Sequence, residues 1–215
     1  HGALYRDRMV GSIGHIATFS FFGNKVISTG EGGMVTTDDQ ELARLVRLYK
    51  EQGMDPNRRY WHPVVGYNYR MTNITAAIGL AQVEMIDWHI QRRIEIARRY
   101  QENLRSVPGL SWQVEKPQMR HVFQFFTLLL NSEITLTREE VIAQLYSRGI
   151  EGRPVVYPVH ALPPYQDLVR GQSFPVAERI ASRGINLPTC ASLTRADVDY
   201  VSECLTECLS LARTA

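Results

Sequence analysis

The feature that most narrows the fold is a change of hydrophobic period along the chain, from short strand-like runs to long helical stripes and back. Residues 15–22 (HIATFSFF) are dense in aromatic and β-branched side chains and read as a buried strand. Residues 34–37 give a second short strand. Asp39 stands where it would cap a helix carrying Leu42, Val46 and Tyr49 at helical spacing. Residues 74–104 predict a long helix with a bend, opened by Thr72 or Asn73. Its buried side would carry Ile78, Val83, Ile86, Ile90, Ile94 and Ala97, and Pro108-Gly109 would close it. The rhythm then changes, with strands expected over 110–114 and 123–130. Thr137 caps a helix over 138–148, with Glu140 in the capping-box position. An extended 153–160, a loop from Pro163-Pro164 and a short helix over 174–183 follow. Thr194 caps a last helix, 197–211, striped by Val198, Val201, Leu205 and Leu209. Such alternation predicts an α/β or α+β protein with a domain change near Pro108, hence domains 1–107 and 108–215.

Composition excludes several functions. The 215 residues are 44% hydrophobic and 21% charged, as in an ordinary globular protein. A formal charge of +2 is too small to argue for nucleic acid or an anionic membrane. No apolar run approaches the roughly 20 residues a bilayer crossing needs, and Gln124 interrupts the longest, 122–130. Two doublets, Arg58-Arg59 and Arg92-Arg93, predict solvated surfaces. Cys190, Cys204 and Cys208 have no metal-binding spacing. Their odd number, with no secretory pattern at residues 1–5, predicts reduced thiols in a cytoplasm and no metal site. The sequon Asn73-Ile74-Thr75 carries little weight there.

Lys25 follows an apolar strand within a glycine-rich turn, Gly23-Asn24-Lys25, ahead of Thr29-Gly30-Glu31-Gly32-Gly33. Spacing alone leaves two readings: a surface lysine on a tight turn, or a desolvated amine able to attack an aldehyde. A phosphate-binding P-loop does not fit, because Lys25 precedes Gly30 and is followed by Val26 rather than Ser or Thr.

The longer string Phe19-Ser20-Phe21-Phe22-Gly23-Asn24-Lys25, with the Gly-Glu-Gly-Gly after it, resembles the DegT/DnrJ/EryC1/StrS family of sugar aminotransferases dependent on pyridoxal phosphate. The likeness continues through His1-Gly2-Ala3, Gly11-Ser12, Gly66-Tyr67-Asn68-Tyr69-Arg70-Met71 and Ala76-Ala77-Ile78-Gly79. In weaker form it reaches Tyr157-Pro158-Val159-His160 and Asn186-Leu187-Pro188. It implies a fold-type I aminotransferase, here the C-terminal portion: part of the large cofactor domain over 1–107 and the small domain over 108–215. Lys25 would hold the cofactor covalently and act as general acid and base. Ser20 would donate to the cofactor phosphate, and Asn68 would reach that phosphate from a neighbouring subunit, which implies a homodimer. Arg70 would bind the glutamate carboxylate or brace its loop. Trp61, His62 and His160 are further substrate-side candidates, each equally readable as a structural residue. Gly30, Gly32 and Gly33 read as backbone devices rather than ligand contacts.

Within the family the pattern is most similar to the branch that transaminates GDP-4-keto-6-deoxy-mannose with glutamate, in surface-polysaccharide synthesis. UDP- or dTDP-linked keto sugars, and a non-catalytic regulatory role, are the alternatives. The resemblance places a carboxylate for the pyridine nitrogen a few residues ahead of His1. The chain does not begin with Met, so it is expected to be a piece of a longer enzyme. Alone it would be inactive and poorly soluble, because its strand 16–22 would lack sheet neighbours.

Overall fold

The computed structural model describes residues 1–211, so the last four residues of the expected 108–215 domain lie outside the described residues. In chain order the strands and helices begin with β1 (Leu4–Tyr5), β2 (Arg8–Met9), β3 (Ala17–Ser20), β4 (Gly33–Thr36), α1 (Gln40–Lys50), α2 (Asn73–Glu84) and α3 (Ile86–Leu104). They continue with β5 (Leu110–Trp112), β6 (Met119–Arg120), β7 (Phe126–Leu130), α4 (Arg138–Tyr146), β8 (Arg153–Pro154), α5 (Pro175–Arg183), β9 (Gly184–Leu187) and α6 (Arg195–Leu211). The chain separates into two compact units. One comprises residues 1–91 and 115–122, and the other residues 92–114 and everything from Phe123.

In the first unit β1 lies between β2 and β6, all antiparallel. The Arg120 guanidinium fixes that ribbon by donating twice to the Gly2 carbonyl, at 2.6 and 2.9 Å. A separate antiparallel hairpin joins β3 to β4, with Ser20 opposite Gly33. The strand expected to be buried is therefore half-exposed along its length, because β4 alone pairs with it. Asp39 caps α1 as expected, its Oδ1 accepting from the Glu41 and Leu42 amides at 2.8 and 3.0 Å. Thr72 caps α2 through the Thr75 amide.

The bend expected in the long helix is a break at Met85, which ends α2 before α3 begins. The expected buried face holds only from Ile90 onward, while Ile78 and Val83 are 49% and 47% exposed. Alpha-helix α2 has apolar side chains around its circumference, Ile74, Ile78, Leu80 and Val83 among them, and buries no residue. A helix of that kind has no one-sided stripe to direct its packing.

The second unit is built on an antiparallel sheet of order β5-β7-β9-β8. Phe126, Leu128 and Leu130 alternate along β7 and are fully buried. Against them come Tyr100 and Leu104 from α3, Val141 and Leu145 from α4, and Val198, Leu205 and Cys208 from α6. The Tyr100 ring stacks on Phe126 at 5.1 Å, and its hydroxyl donates to the Pro188 carbonyl at 3.1 Å. Burial of a dozen such side chains, each contributing about 1.5–3 kcal/mol, dominates the energetics of this unit. Thr137 and Glu140 make the reciprocal capping box on α4, and Thr194 and Asp197 make the same exchange at α6.

Several expectations need correction. Strand β7 starts at Phe126 rather than Phe123, since Phe123 sits at φ 45°, outside the β region. Of the extended 153–160, only Arg153 and Pro154 pair in the sheet, and Val159–Ala161 forms a 3-10 turn. The loop opened by Pro163 is also a 3-10 helix, Pro163–Val169, because proline's fixed φ suits a first helical turn. Strand β9, central between β7 and β8, was not expected. Arg92 and Arg93 are only part-exposed, with their guanidinium groups bound to backbone carbonyls. Arg92 donates to the Ala191 and Leu193 carbonyls and to Glu95, and Arg93 donates to the Gln124 carbonyl and Thr189 Oγ1. Among the described residues, no helix is long and apolar enough to cross a membrane.

Two measurements check this description. Replacing Phe126 with Ala removes the ring at the centre of the sheet and should cost about 3–5 kcal/mol in denaturant unfolding. Asp199 receives a two-pronged bond from Arg99, at 2.6 and 2.9 Å, and a further bond from Asn103. These donors hold its carboxyl at about 2, below the ordinary 3.8. A carboxylate depressed in the folded state stabilises above its unfolded pKa, and that contribution is lost as pH falls. Asp199→Asn should therefore flatten the acid loss of stability between pH 3.8 and about 2, leaving the slope above pH 5 unchanged.

Candidate functional site

The site reads outward from Phe21, the first residue beyond β3. Its amide donates to the Gly32 carbonyl at 2.9 Å, and its own carbonyl accepts from the Thr29 amide at 2.9 Å and the Ser28 hydroxyl at 3.1 Å. These bonds close residues 21–32 into a fixed loop at the end of the β3–β4 hairpin. Inside it the Lys25 amide donates to the Phe22 carbonyl at 3.0 Å, making a tight turn, and buried Val26 and Ile27 anchor the far side. Lys25 itself is half-buried, and among the described residues its amine has no ion-pair partner.

Ser20 ends β3 and is exposed. Its oxygen accepts the Phe22 amide at 3.3 Å, leaving the hydroxyl proton free to donate. The turn after the lysine explains its glycines. Gly32 stands at φ 149°, and a Cβ there would lie 2.6 Å from Thr29 Oγ1. The Thr29 hydroxyl is meanwhile committed to the Glu31 carbonyl at 2.6 Å. Sequence reasoning did not anticipate the His1 ring, which stacks on Phe19 and Phe21 at 5.8 and 5.5 Å beside this hairpin.

Asn68 and Arg70 belong to a second loop, which runs back along the end of α1. Asn68 forms a β-bridge with Glu51. On either side of it the Tyr67 amide donates to the Tyr49 carbonyl and the Tyr69 amide to the Lys50 carbonyl. The backbones of Gly53 and Gly66 touch here, so a Cβ on Gly66 would fall 2.1 Å from the Gly53 nitrogen. Asn68 and Arg70 are exposed. Lys50, first, and also Arg70 hold the Glu51 carboxyl below its usual range.

Trp61 lies on the same connection, half-exposed, with the Arg58 guanidinium 4.1 Å from its ring centre. His62 Nδ1 stands 3.0 Å from the Gln52 carbonyl, a bond internal to the loop. His160 belongs to the other unit. Its ring stacks on Phe174 at 4.4 Å, and Nε2 lies 3.4 Å from Glu178 Oε1. Thus Ser20 ends the strand that leads directly into the closed loop carrying Lys25. Trp61, His62, Asn68 and Arg70 share another, and His160 stands apart from both in the chain.

The first loop fits an aldehyde cofactor bearing a phosphate. It offers an amine with no competing carboxylate, and five residues away a hydroxyl with its proton to spare. Among the described residues, no cluster of three or more metal-ligating side chains occurs.

The DegT/DnrJ/EryC1/StrS aminotransferase family matches residues 1–206. GDP-perosamine synthase of Caulobacter vibrioides is 50% identical over 97% of this chain and 56% of its own length. GDP-perosamine synthase of Escherichia coli O157:H7 is 45% identical over 96% of this chain and 55% of its own. The crystal structure of the aminotransferase TlmJ from Streptoalloteichus hindustanus superposes with a TM-score of 0.89 at 28% identity. It covers 99% of this chain and 57% of that protein. The chain thus spans a little over half the length of the relatives it matches.

Gly66→Ala tests the second loop. The clash with Gly53 is backbone against backbone, so the substitution should cost at least about 2 kcal/mol in denaturant unfolding and displace Asn68. A variant as stable as the parent would contradict the close approach.

Proposed function

The chain belongs to the DegT/DnrJ/EryC1/StrS aminotransferase family, and from that premise we propose that the enzyme it represents moves an amino group from glutamate to a nucleotide-linked 4-keto-6-deoxy sugar. GDP-4-keto-6-deoxy-mannose is the proposed substrate and GDP-perosamine the product, in surface-polysaccharide and O-antigen synthesis. The 50% and 45% identities to GDP-perosamine synthases support that choice. The observation that supports the reading is the closed 21–32 loop, which carries Lys25 without an ion-pair partner among the described residues and directly follows Ser20 at the end of β3.

Pyridoxal phosphate is the proposed cofactor, and when bound it supplies the electron sink that amino transfer requires. Lys25 would hold its aldehyde carbon and carry the proton to and from the sugar C4. Ser20 would donate its hydroxyl proton to the cofactor phosphate. Asn68, exposed on its own loop, would reach the phosphate of a second subunit, so the enzyme is proposed to be a cytoplasmic homodimer with shared sites. Arg70 would take the glutamate carboxylate through its two-pronged guanidinium. Trp61, His62 and His160 are proposed on the nucleotide-sugar side. Residues 1–107 are proposed as part of the large cofactor domain and 108–215 as the small domain. The carboxylate facing the pyridine nitrogen is proposed to lie ahead of His1.

The test uses the full-length enzyme. It should absorb near the visible edge, and borohydride should fix the cofactor to Lys25. Lys25→Ala should abolish both the trapped adduct and amino transfer, whereas a parent protein that takes up no pyridoxal phosphate would end this reading. Assay of GDP-4-keto-6-deoxy-mannose against UDP- and dTDP-linked keto sugars decides the substrate. Equal kcat/KM across the three would remove the perosamine assignment and leave the transaminase.

A further inference from the structure

Between β8 and α5 the chain makes an unusually long connection. Residues 155–174 join a strand to a helix through 20 residues, two 3-10 turns among them, where about 2–6 is the common length; the stretch 156–173 lies within it. None of them is buried, and their apolar side chains, Val156, Tyr157 and Leu168 among them, point to solvent. Among the described residues, the hydrogen bonds of this segment close within it. The Ala161 amide donates to the Pro158 carbonyl, the Tyr165 amide to Leu162, Gln166 Nε2 to Ala161 and the Gln172 amide to Val169. Little therefore ties its middle to the sheet.

The exception is His160. Its side chain is only 18% exposed, its ring lies flat on Phe174 at 4.4 Å, and Nε2 faces Glu178 Oε1 at 3.4 Å. That separation suits an ion pair but is not aligned for a hydrogen bond. Glu178 is the charged group within 4 Å of the ring among the described residues. Phe174 directly precedes α5, and its carbonyl accepts the Glu178 amide, so both partners are fixed to the helix. At the segment's other end the Val155 amide donates to the Gly184 carbonyl of β9. His160 is therefore a fixed point between two fixed ends.

We propose that residues 156–173 form a strap that opens and closes as one piece, latched shut by His160 seated on Phe174 and facing Glu178. The physical basis is unequal attachment. Opening the segment breaks one ring stack and the His160–Glu178 contact, while its internal bonds travel with it and the sheet is untouched. Segments with few buried contacts open locally at far lower cost than the core, and such elements are where ligands are admitted and released. Phe174 and Glu178 are positioning residues in this scheme, acting through His160.

Hydrogen exchange on the full-length protein tests the strap directly. Peptides within 156–173 should exchange together and faster than those of β7 and β9. Losing the stack through Phe174→Ala should accelerate them about fivefold, with β7, β9 and α6 unchanged. Phe174→Tyr, which keeps the ring, should retain the parent rate. Acceleration shared equally by β7, β9 and α6 would mean general loosening and overturn the proposal, as would no acceleration at all. Should Phe174→Ala fail to fold, Glu178→Gln decides. A roughly twofold acceleration confined to 156–173 supports the latch, and an unchanged rate overturns it.

Discussion

The backbone of Phe21 is the constraint on which the candidate site depends. One residue donates across the hairpin to Gly32 and accepts two bonds, from Thr29 and Ser28, on a single carbonyl. Neither interaction depends on side-chain chemistry at position 21, but the ring beneath is buried, so backbone and packing restrain the same point. Lys25 hangs from that closure four residues on. Its loop is short, and both its ends are fixed before the lysine contributes anything. Gly32 follows from the same geometry, because the strand can return under Thr29 only where no Cβ intrudes. Gly32, near the lysine, is thus a consequence of the closure.

The second unit is held together differently. There Phe126, Leu128 and Leu130 supply one continuous apolar face, and the polar groups around it act as braces. Arg183 shows how far this goes. Its guanidinium donates to the carbonyls of Leu130, Asn131, Ile134 and Leu136, satisfying the irregular backbone that leaves β7. Those carbonyls would otherwise be costly, since a part-buried acceptor without a donor forfeits its hydration. One unit therefore presents reactive groups on a hydrogen-bonded loop, and the other secures a sheet by burial.

What could be read from the sequence follows the distance over which each feature is decided. Helix caps were legible at Asp39, Thr72, Thr137 and Thr194 because a cap is settled within three residues of its own chain. The lysine loop was legible for the same reason. The two arginine doublets show the limit. Arg58-Arg59 stand in solvent over Trp61 and Tyr60, as charge alone predicts. Arg92-Arg93, identical in sequence, turn inward because carbonyls about 30 to 100 residues away, at Gln124, Ala191 and Leu193, need donors. Strand β9 escaped for a related reason. Its four residues, Gly-Ile-Asn-Leu, are too short to show a period, and its place between β7 and β8 is a tertiary fact. Of the site, the strand end at Ser20 and the turn carrying Lys25 were legible, whereas the bridge from Asn68 to Glu51 lies beside the close contact of Gly53 and Gly66.

The exposed face of α2 and the exposed Asn68 pose one physical problem rather than two. Thr72 caps α2, so Arg70 and Asn68 lie two and four residues ahead of the cap. A helix apolar around its circumference gains stability only when neighbours remove that surface from water, at about 25 cal/mol per Å². Ile74, Ile78, Leu80 and Val83 are all exposed in the first unit. In the proposed homodimer with shared sites, a surface that covered α2 would also restrict the loop carrying Asn68, since cap and ladder leave that loop little independent freedom. Hydrophobic burial would then do the positioning that a phosphate-binding asparagine requires. Assembly and cofactor binding would be coupled through Thr72, and dissociating the subunits would weaken the site even with Lys25 and Ser20 in place.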